Sequence, residues 1–160
     1  MTSRRIAQLT AGAWAGVMLA IGAFAAPAAF ALLARADAGR LVNRLFMQEA
    51  YVSLVAAGLL FAIERRRTRD AAQLGQGSVL SADLLIILGT LFCTVAGYFA
   101  IQPMMEAARA GQGAWSFGAL HAVSTVLFAL KGGLVLVLAW RLGRQVGQVG
   151  QGSLRSSATS

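Results

Sequence analysis

Four ionisable side chains stand inside apolar stretches of this chain: Glu49, Asp83, His121 and Lys131. Charged groups are costly in hydrocarbon, so a chain that keeps them commonly uses them in a pathway or a relay. A histidine beside carboxylates can pass protons, bind a metal through imidazole and oxygen, or hydrogen-bond a polar solute in transit. Lys131 is the more demanding case, being the sole lysine among 14 basic residues. At the centre of a span it costs about 2.5–3.5 kcal/mol on insertion scales.

What these groups can do depends on the elements that carry them. Apolar runs at about 9–33, 45–63, 80–102 and 117–140 each approach the roughly 20 residues a helix needs to cross ~30 Å of hydrocarbon. The 160-residue chain is 58% hydrophobic and only 12% charged, where a soluble domain carries about 25% charged residues. These features predict an all-α integral membrane four-helix bundle over 9–140, a single domain with both termini cytoplasmic. Residues 1–8 form the cytoplasmic N-terminus, and the Gly-, Gln- and Ser-rich tail at 141–160 is expected to be disordered. "RADAGRLVNR" reads as a tight connector between the first two spans, and "ERRRTRDAAQLGQGSV" as a polar loop before the third.

Glu49 then lies about four residues inside the outer end of the second run, and His121 about four inside that of the fourth. At 1.5 Å of rise per residue both sit roughly 6 Å deep, within reach of each other. Tyr98, Gln102 and Glu106 come to the same level from the third run, and Pro27 from the first. Pro27 and Pro103 each remove a backbone donor and free a carbonyl one turn earlier, which kinks the helix and exposes an acceptor. The expected site is a polar pocket of these residues beneath the outer head groups. Its plainer alternative is a packing bond from His121 to Glu49 or to a freed carbonyl. Lys131 is expected deeper, with Glu49 about 9 Å or more away in depth and Asp83 behind it. Thr90 and the carbonyls beside Gly132 and Gly133 are its expected partners, with a transport or proton role as the functional alternative. Small residues one turn apart, Gly12, Gly16 and Ala20 on the first span and Gly89, Cys93 and Gly97 on the third, predict close contact between those two spans.

The net charge of +8 does not point to nucleic acid, because the arginines flank the apolar runs instead of forming one basic face. Arg4, Arg5, Arg65, Arg66, Arg67, Arg69, Arg141, Arg144 and Arg155 fall on one side of the four-span arrangement, against Arg35, Arg40, Arg44 and Arg109 on the other. This bias is what assigns the termini to the cytoplasm. The "ERRRTR" run has the charge to meet anionic lipid, although a solvated stop-transfer loop is the simpler account. Heavy use of alanine, and of arginine over lysine, suggests a GC-rich bacterial genome and hence an inner-membrane protein. "MTSRR" before an apolar run and "AFA" resembles a secretory signal, but the run continues to Leu33, past the 7–15 residues of a signal core, and is expected to be retained. Cys93 stands alone, so no intramolecular disulfide and no CxxC metal site exists. One histidine excludes bis-histidine haem ligation within the chain. No cofactor is expected on the binding or transport reading; its alternative is a membrane redox or metal-binding protein in which His121 ligates haem or copper with Glu49, Glu106, Met104 or Met105. Phosphate-loop, dinucleotide and nucleophile–base patterns are absent, which argues against hydrolase or kinase chemistry. Four short spans enclose little space, so transport would need a homo-oligomer or a membrane partner.

"WAG" followed by "APAAF", then "AGRLVNRLFMQEAY", "GYFAIQPMMEAARAG" and "FGALHAVST", between Trp14 and Trp140, resemble the domain family that bacterial proteins share with human transmembrane protein 205. The resemblance implies a four-helix membrane protein with Pro27, Phe30, Gly39, Phe46, Pro103 and His121 at signature positions. The human relative's association with resistance to platinum drugs implies export or vesicle traffic. Lys131 is outside that signature. A more distant likeness links the chain to four-helix membrane families tied to copper resistance and haem, in which span histidines are ligands.

Overall fold

The computed structural model describes residues 2–75, 78 and 80–157, and all regular structure among them is helical. α1 (Thr2–Leu19) passes through a π-helical turn, Ala20–Ala25, into α2 (Ala26–Leu32), and α3 (Arg35–Gln73) returns beside it. α4 (Ala82–Thr94) passes through a second π turn, Val95–Ala100, into α5 (Ile101–Arg109), and α6 (Phe117–Ser157) completes the chain. The four spans so formed, 3–32, 35–73, 82–109 and 117–145, are each long and apolar enough to cross a membrane. This is a multi-pass membrane protein.

The helices overrun the apolar runs at several ends. α3 begins at Arg35, ten residues before the predicted entry at Leu45, and continues to Gln73 through the arginine run expected as a loop. Hydropathy locates where a helix meets hydrocarbon, whereas Ala, Arg, Leu, Glu and Gln carry it on through water. α3 stops where Gly75 takes φ +70° and its N–H bonds Ala72 O, a left-handed cap that a side chain would strain. The third span ends likewise, with Gln112 N–H on Ala107 O and Gly111 N–H on Ala108 O. At the other extreme α6 runs to Ser157, contrary to the expected disordered tail from 141. No proline follows Phe117, and Arg, Gln, Leu and Val between the glycines sustain the helix.

Consecutive spans run antiparallel. α1 packs on α3 and α6, and α4 on the same two, so α3 and α6 form one diagonal of the bundle and α1 and α4 the other. Among the described residues the first span is not packed closely on the third, contrary to expectation, for a reason visible at the glycines. A Cβ on Gly89 would come 3.2 Å from Leu134 Cδ1 and one on Gly97 would lie 3.4 Å from Leu127 Cβ, both on α6, whereas Gly12 and Gly16 have no neighbour within 4 Å. One stripe admits a different helix and the other faces outward.

The half of the bundle that holds the termini is packed solid around Trp14, Leu60, Ile87, Val135 and Leu138. Each π turn ends just before the proline of the next helix. Pro27 and Pro103 have no N–H for the carbonyls of Ala23 and Phe99, and the widened turn takes up the misfit, so the expected kinks are realised as π bulges. Beyond these bulges α2 stays on α3 and α5 on α6, and the two hairpins separate. From Phe117 to the exposed Trp140, α6 rises about 35 Å, close to one bilayer's apolar thickness.

Candidate functional site

Lys131 and Glu49 form an ion pair in the middle of the bundle, across the α3–α6 diagonal. Lys131 Nζ donates to both carboxylate oxygens, at 2.9 and 2.7 Å, and to Ser53 Oγ at 3.2 Å. Ser53 Oγ donates to Glu49 Oε1 at 2.6 Å and accepts from the Trp14 indole at 3.0 Å. The three ammonium protons, the hydroxyl and the indole N–H are thereby all used. Lys131 is 4% exposed and Glu49 2%, and among the described residues no buried side-chain polar atom lacks a partner.

This pairing corrects the expectation that Glu49 lies too far off in depth. The apolar edge at Leu45 is not where the helix begins. Measured from the helix starts at Arg35 and Phe117, Glu49 and Lys131 each lie 14 residues in, about 21 Å along parallel helices. The same correction separates His121 from Glu49, since His121 is only four residues into α6 and so roughly 15 Å nearer the helix start. His121 is exposed and stacks on Phe117, with ring centroids 5.8 Å apart and planes at 10°. Thr90, the expected partner of Lys131, donates to its own helix at Ile87 O, 2.7 Å away.

Above the ion pair the separating hairpins leave a cavity of about 1180 Å³, lined by all four spans. Its depth is set by the numbering of its walls, from Ala15 outward on the first span, to Glu49 on α3, from Cys93 on the third span and to Leu136 on α6. It therefore lies mainly in the half of the bundle opposite the termini, with Lys131 and Glu49 in its deep part and the α6 wall continuing past Lys131 to Leu136. Tyr98, Gln102 and His121 join those two in the lining, and Gln102 also donates to Asn43 of α3. Glu106, Pro27 and Pro103 are exposed and outside it. Of the expected pocket, Glu49, Tyr98, Gln102 and His121 thus share one cavity at different depths, while Glu106 does not join them. Among the described residues no group of three or more His, Cys, Asp or Glu side chains is clustered to hold a metal.

A second polar network closes the terminal end of the bundle. Glu64 accepts from Arg67 at 2.9 Å and from Ser81 at 2.8 Å, and Ser81 caps α4 by accepting from Leu84 N–H at 3.1 Å. Asp83 accepts from Arg141 at 2.5 Å and from Gln145 at 2.9 Å. These contacts join α3, α4 and α6 where they leave the apolar region.

Ser53 and Trp14 were overlooked as site residues. Ser53 stands one turn from Glu49, at the spacing that lets two side chains share a helix face, and that spacing was the available signal. A buried indole N–H also needs an acceptor, but nothing local says that it comes from another span.

No curated protein and no solved structure matches the chain. A family described as a domain of unknown function, DUF4149, matches residues 9–114, which include Trp14, Glu49 and Ser53 and end before α6. With two-thirds of its length in that match, this membrane protein of uncharacterised activity belongs to that family.

Proposed function

We propose that the chain is a small-molecule binding or transport protein of the bacterial inner membrane, which loads its solute from the face opposite the termini and halts it at the Lys131–Glu49 pair. The observation that carries this proposal is the cavity of about 1180 Å³, larger than the roughly 300–1,000 Å³ typical of small-molecule sites. It is built from all four spans, mainly in one half of the bundle, while the other half is filled by Trp14, Leu60, Val135 and Leu138. A vessel accessible at one end and closed at the other is the arrangement that alternating access requires of a resting state. The arginine bias favours cytoplasmic termini, hence a cavity that opens outward. Passage through so small a bundle requires a second copy or a membrane partner. The resemblance to the transmembrane protein 205 domain family agrees with an export role.

The native Cys93 tests access directly, because it is the chain's sole cysteine and lines the cavity. In membranes of known orientation, a small impermeant thiosulfonate is expected to label Cys93 from the face opposite the termini. Thr125→Trp, which adds bulk to an exposed wall residue, should slow labelling at least about tenfold if it fills the access route. Cys93 that reacts only after denaturation would overturn the proposal.

A further inference from the structure

The cavity presents two chemistries at two depths. At its rim stand Arg35, Arg40 and Arg109, and beneath them the walls include Met18, Phe46 and Phe128. Arg40 pairs with Asp37 on the same turn, so part of its charge is answered locally. Arg109 lies over the Phe117 ring at 4.6 Å, a cation–π contact that holds its guanidinium at the rim. α3 also begins at this level without a side-chain cap, which adds to the positive potential there. The deep part is different in kind. Lys131 spends its three protons on Glu49 and Ser53, so the ion pair has no donor left to recognise a polar ligand group.

We infer that the cavity takes an anionic amphiphile, tail first, with its charged head among Arg35, Arg40 and Arg109 and its apolar chain against the walls above Lys131. This inference rests on the binding reading given above and names the ligand class. The walls are apolar in the main, with Thr94, Tyr98, Gln102, Ser124 and Thr125 among them, and an acyl chain supplies the dispersion contacts that the apolar part lacks. A carboxylate or phosphate head suits guanidinium groups because it accepts paired, charge-assisted hydrogen bonds. The same chemistry has two sources, a free long-chain carboxylate and an anionic lipid of the surrounding leaflet.

The test uses the full chain in maltoside micelles, with the rate of Cys93 modification as readout and oleate, oleyl alcohol and a long-chain trimethylammonium as probes. Oleate is expected to half-protect Cys93 at a concentration about tenfold below that of the alcohol, with the cation weakest. Arg35→Gln/Arg109→Gln is expected to erase that preference by weakening oleate and leaving the alcohol unchanged. Arg66→Gln, at the other end of the bundle, should leave both unchanged. Equal protection by oleate and alcohol in the wild type, or a preference that survives the double substitution, overturns the inference while leaving the cavity intact. Protection by no probe of a Cys93 that does react also overturns it, whereas a Cys93 that never reacts sinks the binding reading itself. Nanodiscs separate the sources: protection in phosphatidylglycerol but not phosphatidylcholine discs identifies a bilayer lipid, and protection only on adding oleate identifies the free carboxylate.

Discussion

Removing Lys131 alone should be more damaging than removing both partners of the Lys131–Glu49 pair. At the observed 2.7 Å, the Coulomb attraction is about 6 kcal/mol at an effective dielectric of ~20. Much of that offsets the cost of taking two charges out of water, so the pair's net contribution is small. A lone partner loses the attraction and keeps the desolvation cost. Lys131→Met is therefore expected to destabilise by about 3–5 kcal/mol, roughly 10 °C in unfolding temperature for a chain of this size. Glu49→Gln should be milder, because its amide oxygen and Ser53 still accept from Lys131. Lys131→Met/Glu49→Gln should recover part of the loss, giving a coupling energy of at least about 2 kcal/mol in a double-mutant cycle. The assay is thermal or dodecyl-sulfate unfolding of the four proteins in one detergent. Singles that unfold with the wild type, and a coupling near zero, would mean that the pair is hydrated and that the buried geometry is not the operative one.

The glycines of the two small-residue stripes should behave oppositely although their sequence pattern is the same. Gly89→Val meets Leu134 with its first carbon 3.2 Å away and is expected to cost about 1–3 kcal/mol, while Gly16→Ala, with open space around it, should be neutral or gain about 0.5–1 kcal/mol of helix stability; unfolding midpoints check both. His121→Ala should shift the midpoint by less than about 1 kcal/mol, since an exposed ring stacked on Phe117 holds no second helix. A loss as large as that of Lys131→Met would restore the idea of His121 as an interhelical tie.

The bundle was legible in the sequence because the signal for it is long: four apolar runs of span length leave no other economical fold. Depth was not legible to the same standard. An apolar run is bounded by its charges, whereas α3 starts at Arg35 and passes Asp37, Arg40 and Arg44 before it reaches continuous apolar sequence. Counting from Leu45 moved Glu49 outward by ten residues, and that one displacement produced both the mistaken His121–Glu49 contact and the missed Lys131–Glu49 pair. Which helices adjoin was hidden for a different reason. Gly12–Gly16–Ala20 and Gly89–Cys93–Gly97 have the same spacing, and only the rotation of each helix in the bundle decides that one stripe meets α6 and the other meets nothing. A π turn precedes each of Pro27 and Pro103, and whether a freed carbonyl yields a kink or a π turn depends on packing that no local sequence specifies.

The position of the ion pair is better explained by closure than by stability. Buried pairs are often replaceable by apolar residues of similar volume at no loss, so cohesion alone does not require charge at this level. Lys131 and Glu49 instead belong to the α3–α6 diagonal, whose backbones are not close neighbours, and their long side chains reach across the axis where shorter apolar ones would leave a gap. Above them lies most of the cavity, whose α6 wall ends at Leu136, and beyond that the packed core of Leu60, Val135 and Leu138. An apolar chain descending the cavity could pass further only by separating Nζ from the carboxylate, which forfeits the attraction while both charges remain out of water. On the proposed binding reading, the pair resists apolar matter at the depth where the amphiphile's tail would end. A ligand whose far end carried its own anion could compete with Glu49 for Lys131, and would meet no such barrier.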